Sequence, residues 1–449
     1  MALERLTPAL AAVRRDLADA VLMALPLRLA AAAAFSLSVF ALAACVAIVA
    51  PAAAAESADA ANPGPQQLAI GDQARKDRLA AVTLDGITDT AKGEVIDAGE
   101  FARRLADVRV LFIGEEHTNG EFHRAQLRAI EALQAAGRKV IVGLEMFPYT
   151  TTQPLEDWTA GKLTEQQFLE QAKWYETWSH HWGHYREIFD YARDHKLRMV
   201  GVNVPREVVR TVRSTGLDAL DPETRKHMPP SIDTTSVEHR QLVQSYFESD
   251  DPLHSKMPPE QVEGLYLAQV TWDSAMGWNA GQALTTPADM REIVVVLIGS
   301  GHVAYGLGAE RQLAPHFKGG IASLIPVTVR GEDGKPLAGV RASYADFLWG
   351  VPWTAQPTLP VLGVSLMGRI GNEPGKIIQI DQGSTADQAG LKVGDILRTL
   401  DGVKIDGSTS LQRQVGEYRW GDAAELVIER DGQPVTLKIA FRRSIGVAK

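Results

Sequence analysis

A single cysteine, Cys45, stands in a chain of 449 residues. That excludes an intrachain disulfide and any Cys-based zinc or iron–sulfur site, so a metal here must be held by His, carboxylate or Tyr. Positive charge is also in short supply. The net charge is −9, which excludes a basic surface tracking nucleic acid and makes an anionic membrane a poor electrostatic partner for the folded body. Gly-x-Ser-x-Gly is missing, which argues against a serine nucleophile on a sharp strand-to-helix turn. What is present is ordinary globular usage, 45% hydrophobic and 22% charged, which excludes disorder and collagen. At about 150 residues per domain the length suits two or three domains.

The longest apolar run, Leu29 to Ala50, follows Arg28 and closes on Pro51 and four alanines. It has three readings: a signal peptide cleaved after Ala55, a lipoprotein leader with Cys45 as acceptor in Leu42-Ala43-Ala44-Cys45, or an uncleaved membrane anchor. All three place the body outside the cytosol, periplasmic or anchored to a membrane of the cell envelope. Residues 1–55 are thus expected to be a leader and 56–79 a flexible tether.

From Phe101 to Val329 short apolar runs alternate with amphipathic stretches. Residues 108–113, 139–144, 197–202, 293–298 and 322–329 read as strands, and 119–136, 164–172, 184–195, 205–214 and 260–280 as helices. The alternation predicts an α/β fold: a mostly parallel sheet with helices on both faces, whose ligands sit beyond the carboxyl ends of the strands. The proline-rich stretch 218–259 reads as a helical insertion or lid. Past residue 358 short β-like runs with glycine turns predict a small β-rich C-terminal domain over 358–445.

Polar groups crowd those expected strand ends. Gly114-Glu115-Glu116-His117 follows the first strand, Glu145 the second, Asn203 the third, and Gly299-Ser300-Gly301-His302 the fourth. Two histidines and one or two carboxylates on one rim suit a divalent metal, with His117, Glu116, Glu145 and His302 as ligands, or an acid/base pair. Gln269 and Asp273 share one face of their helix. Residues 174–185 hold five aromatics and three histidines, a core or a ligand surface; His180 and His181 themselves read as solvated. Arg206, after Pro205, is placed to clamp an anionic group or to orient Glu145.

The series Gly114-Glu-Glu-His117, Gly143-Leu-Glu145-Met-Phe147, Trp182…Tyr185, Asn203-Val-Pro-Arg206 and Gly299-Ser-Gly-His302 resembles the ChaN family of the Tiki/TraB-like superfamily, over about residues 80–353. The resemblance implies an exported haem-binding domain linked to iron uptake, with Tyr185 or Tyr305 as iron ligand and Trp182, Asn203 and Arg206 around the haem. Other branches of the superfamily imply a metal-dependent protease or esterase with His117, Glu145 and His302 as catalytic groups. Whether the chain is an enzyme stays open at this point. Leu362-Gly363-Val364, Ser384-Thr-Ala386, Gly394-Asp395-Ile396-Leu397 and Asp401-Gly402 resemble an HtrA-type PDZ domain. Such a domain implies capture of protein C-terminal peptides at Leu362-Gly363-Val364, with Ile377, Ile378 and Leu391 lining the pocket, or else packing or homodimerisation.

Overall fold

A computed structural model describes residues 64–442, apart from 179, 249–257, 287, 332–333, 338, 355–357 and 367–374. The leader, Cys45 and the Ala55 junction lie outside the described residues.

Eight strands build the main sheet: β1 (Ile87–Asp89), β2 (Glu94–Ile96), β3 (Val108–Glu115), β4 (Lys139–Pro148), β5 (Arg198–Asn203), β6 (Glu292–Gly299), β7 (Gly320–Thr328) and β8 (Phe347–Val351), in the order β2-β1-β8-β7-β3-β6-β4-β5. From β8 to β5 neighbours run parallel. The β1–β2 hairpin joins one edge antiparallel. Alternation along the central strands splits two cores. Leu111, Ile113, Val295 and Leu297 face one, and Val110, Phe112, Val294 and Val296 the other. A strand buried on both faces reads as a continuous apolar run, which is why these strands were legible.

The first core is covered by α1 (Gly120–Ala135) and by residues 153–194, including α2 (Trp174–Thr177) and α3 (Arg186–Asp194). Behind the other lie α4 (Arg206–Thr215), α5 (Val237–Glu248) and α6 (Pro259–Gln282). Asn119 caps α1, its side chain accepting from the Glu121 amide at 3.1 Å. This cap forces the chain to turn between His117 and the helix, so the histidine stays at the strand end.

The expected tether is a correction from residue 64 onward. Leu68 and Ile70 are buried in the second core, and Arg75 pairs with Asp346 at 3.0 Å. Apolar residues in that stretch had an open sheet face to cover. Of the expected 218–259 insertion the described part is largely helical, with α5 at its centre.

The C-terminal domain has its own core around Leu397, Leu426 and Phe441. It comprises β9 (Val364–Leu366) paired with β10 (Ile377–Ile380), a four-stranded sheet of β11 (Ile396–Leu400), β12 (Val403–Lys404), β13 (Ala423–Arg430) and β14 (Gln433–Ala440), and α7 (Ser408–Val415).

Candidate functional site at the carboxyl edge of the sheet

Glu115 ends β3 with its side chain turned inward, 3% exposed. Its carboxylate accepts from the Tyr185 hydroxyl at 2.6 Å, from His117 Nδ1 at 2.8 Å and from Gln126 Nε2 at 2.8 Å. Burial alone would raise its pKa. The charges of His123 and His117 and the donated hydrogen bonds outweigh that and bring it down to about 2. It is an anion held by its neighbours.

Glu145, on β4, is buried too. Its Oε2 accepts from the Gly299 amide at 2.5 Å and its Oε1 lies 3.4 Å from His302 Nε2. Asn203 secures the same strand by donating from Nδ2 to the Glu145 carbonyl at 3.0 Å. The other nitrogen of His302 meets Asp273 Oδ1 at 2.6 Å, and Gln269 lies beside it at 2.8 Å. Asp273, fully buried on α6, is backed by His239 Nε2 at 3.1 Å. Burial pushes His302 down, but Asp273 and Glu145 override it and raise its pKa to about 10. His302 is therefore an imidazolium fixed between two carboxylates.

His117 is disposed differently. Among the described residues only its Nδ1 is hydrogen-bonded, by Glu115. Its side chain is 30% exposed, and its ring sits 4.7 Å from Trp178 and 4.8 Å from His180 between centroids. Burial again opposes charge on this ring, and Glu115 and Glu145 reverse the effect, so its pKa is raised. A Cβ on Gly299 would fall 3.2 Å from His117 Cε1 and 3.4 Å from Nε2, so the missing side chain lets the imidazole pack directly against the strand end. His117, Glu145 and His302 thus meet around Gly299.

Several sequence expectations change here. Glu116 is exposed and accepts from Asn119 at 3.1 Å; the carboxylate facing inward is Glu115, the strand's last residue. Among the described residues no group of three or more His, Cys, Asp and Glu side chains is arranged to hold a metal ion. Trp182 is 2% exposed and packs with Trp158, Phe168, Trp174 and Phe189. Its ring is core, because the sheet face there needs aromatic volume. Tyr185 is fully buried on Glu115, and the Tyr305 hydroxyl accepts from the Leu68 amide at 3.0 Å and donates to the Pro65 carbonyl at 2.7 Å. The Tyr305 oxygen is spent on the N-terminal segment and the Tyr185 oxygen on the carboxylate that also holds His117. Arg206 donates to the Thr177 carbonyl at 2.6 Å, and the Gly299 amide holds Glu145 instead. His180 and His181 are half-buried, and burial lowers them to about 3 and about 4. Gln269 and Asp273 do face the site. Sequence reasoning missed Glu115, His123, His239 and Gln126; the signal for Glu115 was its place as the last residue of a strand buried on both faces.

In the C-terminal domain Gly363 has φ of +78°, and the space for a Cβ there is filled by Ser384. The Leu362 and Gly363 carbonyls accept from the amides of Ala386 at 2.8 Å and Asp381 at 3.0 Å. Val364 opens β9. Ile377 and Leu391 are buried in the core of this domain, whereas Ile378 is 49% exposed, on the opposite face of its strand from Ile377.

Residues 101–313 match the family model for haem-binding uptake, Tiki superfamily, ChaN, and residues 360–441 match the PDZ domain model. This chain joins a ChaN-like domain to a C-terminal PDZ domain. Among curated proteins the chain is similar to a serine protease Do-like HtrA of Lactobacillus helveticus, 23% identical over 255 residues, covering 53% of this chain and 59% of that protein. It is also similar to a probable periplasmic serine endoprotease DegP-like of Ectopseudomonas mendocina (strain ymp), 35% identical over 65 residues and 14% of each chain. Neither relative is spanned over two thirds of its length. Among solved structures, cofacial heme binding to ChaN of Campylobacter jejuni aligns with TM-score 0.46 and 16% identity, over 60% of this chain and 98% of that one. A serine endoprotease from Yersinia pestis aligns with TM-score 0.17 and 23% identity, over 19% of this chain and 30% of that one.

Proposed function

We propose that this chain is an exported envelope protein that binds haem at the His117 rim, in haem or iron uptake, while its PDZ domain recruits protein C-termini. One observation carries the haem reading. The His117 imidazole has one nitrogen on a buried carboxylate, at 2.8 Å, and its side chain is 30% exposed at the strand end. Iron-ligating histidines have this arrangement, because the carboxylate fixes the tautomer and raises ligand basicity. The residues fit the group: His117 would hold the iron, Trp178 and His180 border it, and Glu115 orients the ring. Haem would supply an iron centre to be carried. The match of residues 101–313 to a haem-binding family supports the same reading.

The test is a haemin titration of the folded chain, followed by its Soret band. A saturable shift is expected, lost or altered in His117→Ala and retained in Tyr185→Phe. A titration equal to non-specific adsorption in both the parent chain and His117→Ala refutes it.

A second reading, hydrolysis of an ester or peptide bond, draws on the Asp273–His302–Glu145 line, which holds an acid next to a carboxylate. The form of that reading in which His302 binds a divalent metal requires one of its two nitrogens to leave its carboxylate.

A further inference from the structure

The PDZ domain does not hang from its linker alone. Thr358 and Leu359, just ahead of the Leu362-Gly363 loop, lie against the ChaN domain. A Cβ on Gly120 would sit 3.1 Å from Thr358 Cγ2, and one on Gly183 would sit 2.8 Å from Leu359 Cδ1. Gly120 is three residues past His117, and Gly183 is three past His180. Trp420 Nε1 closes the strap from the PDZ side, donating to the Thr358 carbonyl at 3.0 Å. A second contact joins α7 to α2: Arg413 pairs with Glu176 at 2.9 Å, and the buried Tyr175 hydroxyl fills the space beside Gly416. Leu411 and Val415 of α7 share one core with Leu362 and Val364, the residues of the peptide-receiving loop. Glu176 stands two residues before Trp178, which touches His117.

We propose that the peptide site of the PDZ domain and the His117–His180 rim are thermodynamically linked through these two latches. Ordering the loop at Leu362-Gly363-Val364 fixes Thr358 and Leu359 against the first turn of α1 and against Gly183. Ordering the rim does the same from the other side. Linkage is reciprocal, so a ligand at either site changes affinity at the other by one factor, commonly 5- to 150-fold. The haem part of the test rests on the haem reading proposed above, and the exchange part on its peptide-binding reading.

Hydrogen exchange of the full chain is measured with and without a free-acid peptide selected from a C-terminal library for binding it. Protection is expected at 363–366 and also at 117–123 and 174–185. In Leu359→Ala/Arg413→Glu the first gain persists and the second disappears. Haemin loading should shift the peptide Kd fivefold or more in the parent chain and less than twofold in the double variant. Protection confined to the PDZ domain in the parent chain overturns the linkage, as does a library without a binder. A featureless haemin titration alongside spreading protection removes the haem assignment and upholds the linkage.

Discussion

Replacing Glu115 by Gln removes one charge and little volume from the centre of the site. The carboxylate accepts three hydrogen bonds, from Tyr185, His117 and Gln126, and stands 3.5 Å from His123. An amide keeps one acceptor oxygen and turns an NH2 group toward donors, so at least one buried donor loses its partner. Unpartnered buried donors cost about 1–3 kcal/mol, and breaking a buried ionic contact costs about 3–5 kcal/mol. About 3 kcal/mol is therefore expected for Glu115→Gln. With a urea slope of about 2–3 kcal/mol per molar the midpoint falls by about 1 M. The assay is urea unfolding of the ChaN domain followed by tryptophan fluorescence, with Glu116→Gln as the control. Glu116 is exposed, and its variant should stay within about 0.5 kcal/mol of the parent. In Glu115→Gln haemin affinity should also fall about 10–100-fold, because His117 loses the group that orients it. Equal midpoints for Glu115→Gln and the parent chain would refute this account of the site.

Gly299→Ala should fold normally, since its φ of −57° and ψ of 138° are open to alanine, yet weaken haemin binding at least tenfold by crowding His117; unchanged affinity in the titration refutes it. Trp182→Ala should cost about 3–5 kcal/mol as a core truncation, and a urea midpoint near the parent value would return Trp182 to the surface. The pH profile of stability should peak near neutrality. Burial lowers His180, His181 and His184 to about 3, 4 and 3. Between those values and about 6.5 the unfolded chain binds more protons, so stability falls on acidification, by at most about 1.4 kcal/mol per pH unit for each group. His302, raised to about 10, contributes stability that is complete below about 6.5 and is lost as pH rises toward 10. Urea midpoints from pH 4 to 10 test both limbs, and a flat profile contradicts the burial of these imidazoles.

The parallel strands and most of their helices could be read from the chain because double burial leaves a continuous apolar signature and helical faces leave a 3–4 spacing. The β1–β2 hairpin left no comparable mark: its six strand residues mix Thr, Asp and Glu with apolar side chains, and β1 lies between β8 and β2 with Ile87 in the first core. At the site, position along the sheet was legible and side-chain direction was not. Gly-Glu-Glu-His offers two adjacent carboxylates, and which one turns inward depends on where the β3 ladder stops. The aromatic stretch 174–185 is ambiguous for a similar reason. Composition cannot divide Trp174, Trp182 and Tyr185, which fill the core, from Trp178 and His180, which border His117. That division follows from the short helical turns at 174–177 and 182–184, which no period in the sequence specifies.

The two Gly-x-x-His motifs look like a repeated unit but are chemically unequal. After β6, His302 is bound on both sides by carboxylates, one of them on α6, whose long helix crosses behind the sheet and carries Asp273 to the strand end. After β3 the corresponding helix α1 carries His123 and Gln126 to the Glu115 carboxylate, and His117 stays 30% exposed. His302 would have to leave a carboxylate before giving a lone pair, whereas His117 has only to lose the proton on Nε2 while Glu115 holds Nδ1. The cation at His302 also balances the buried charge of Glu145, so its fixed charge supports the floor of the site. The sheet thus places two similar turns side by side, and the helices behind them leave His117 held by one carboxylate and His302 held by two.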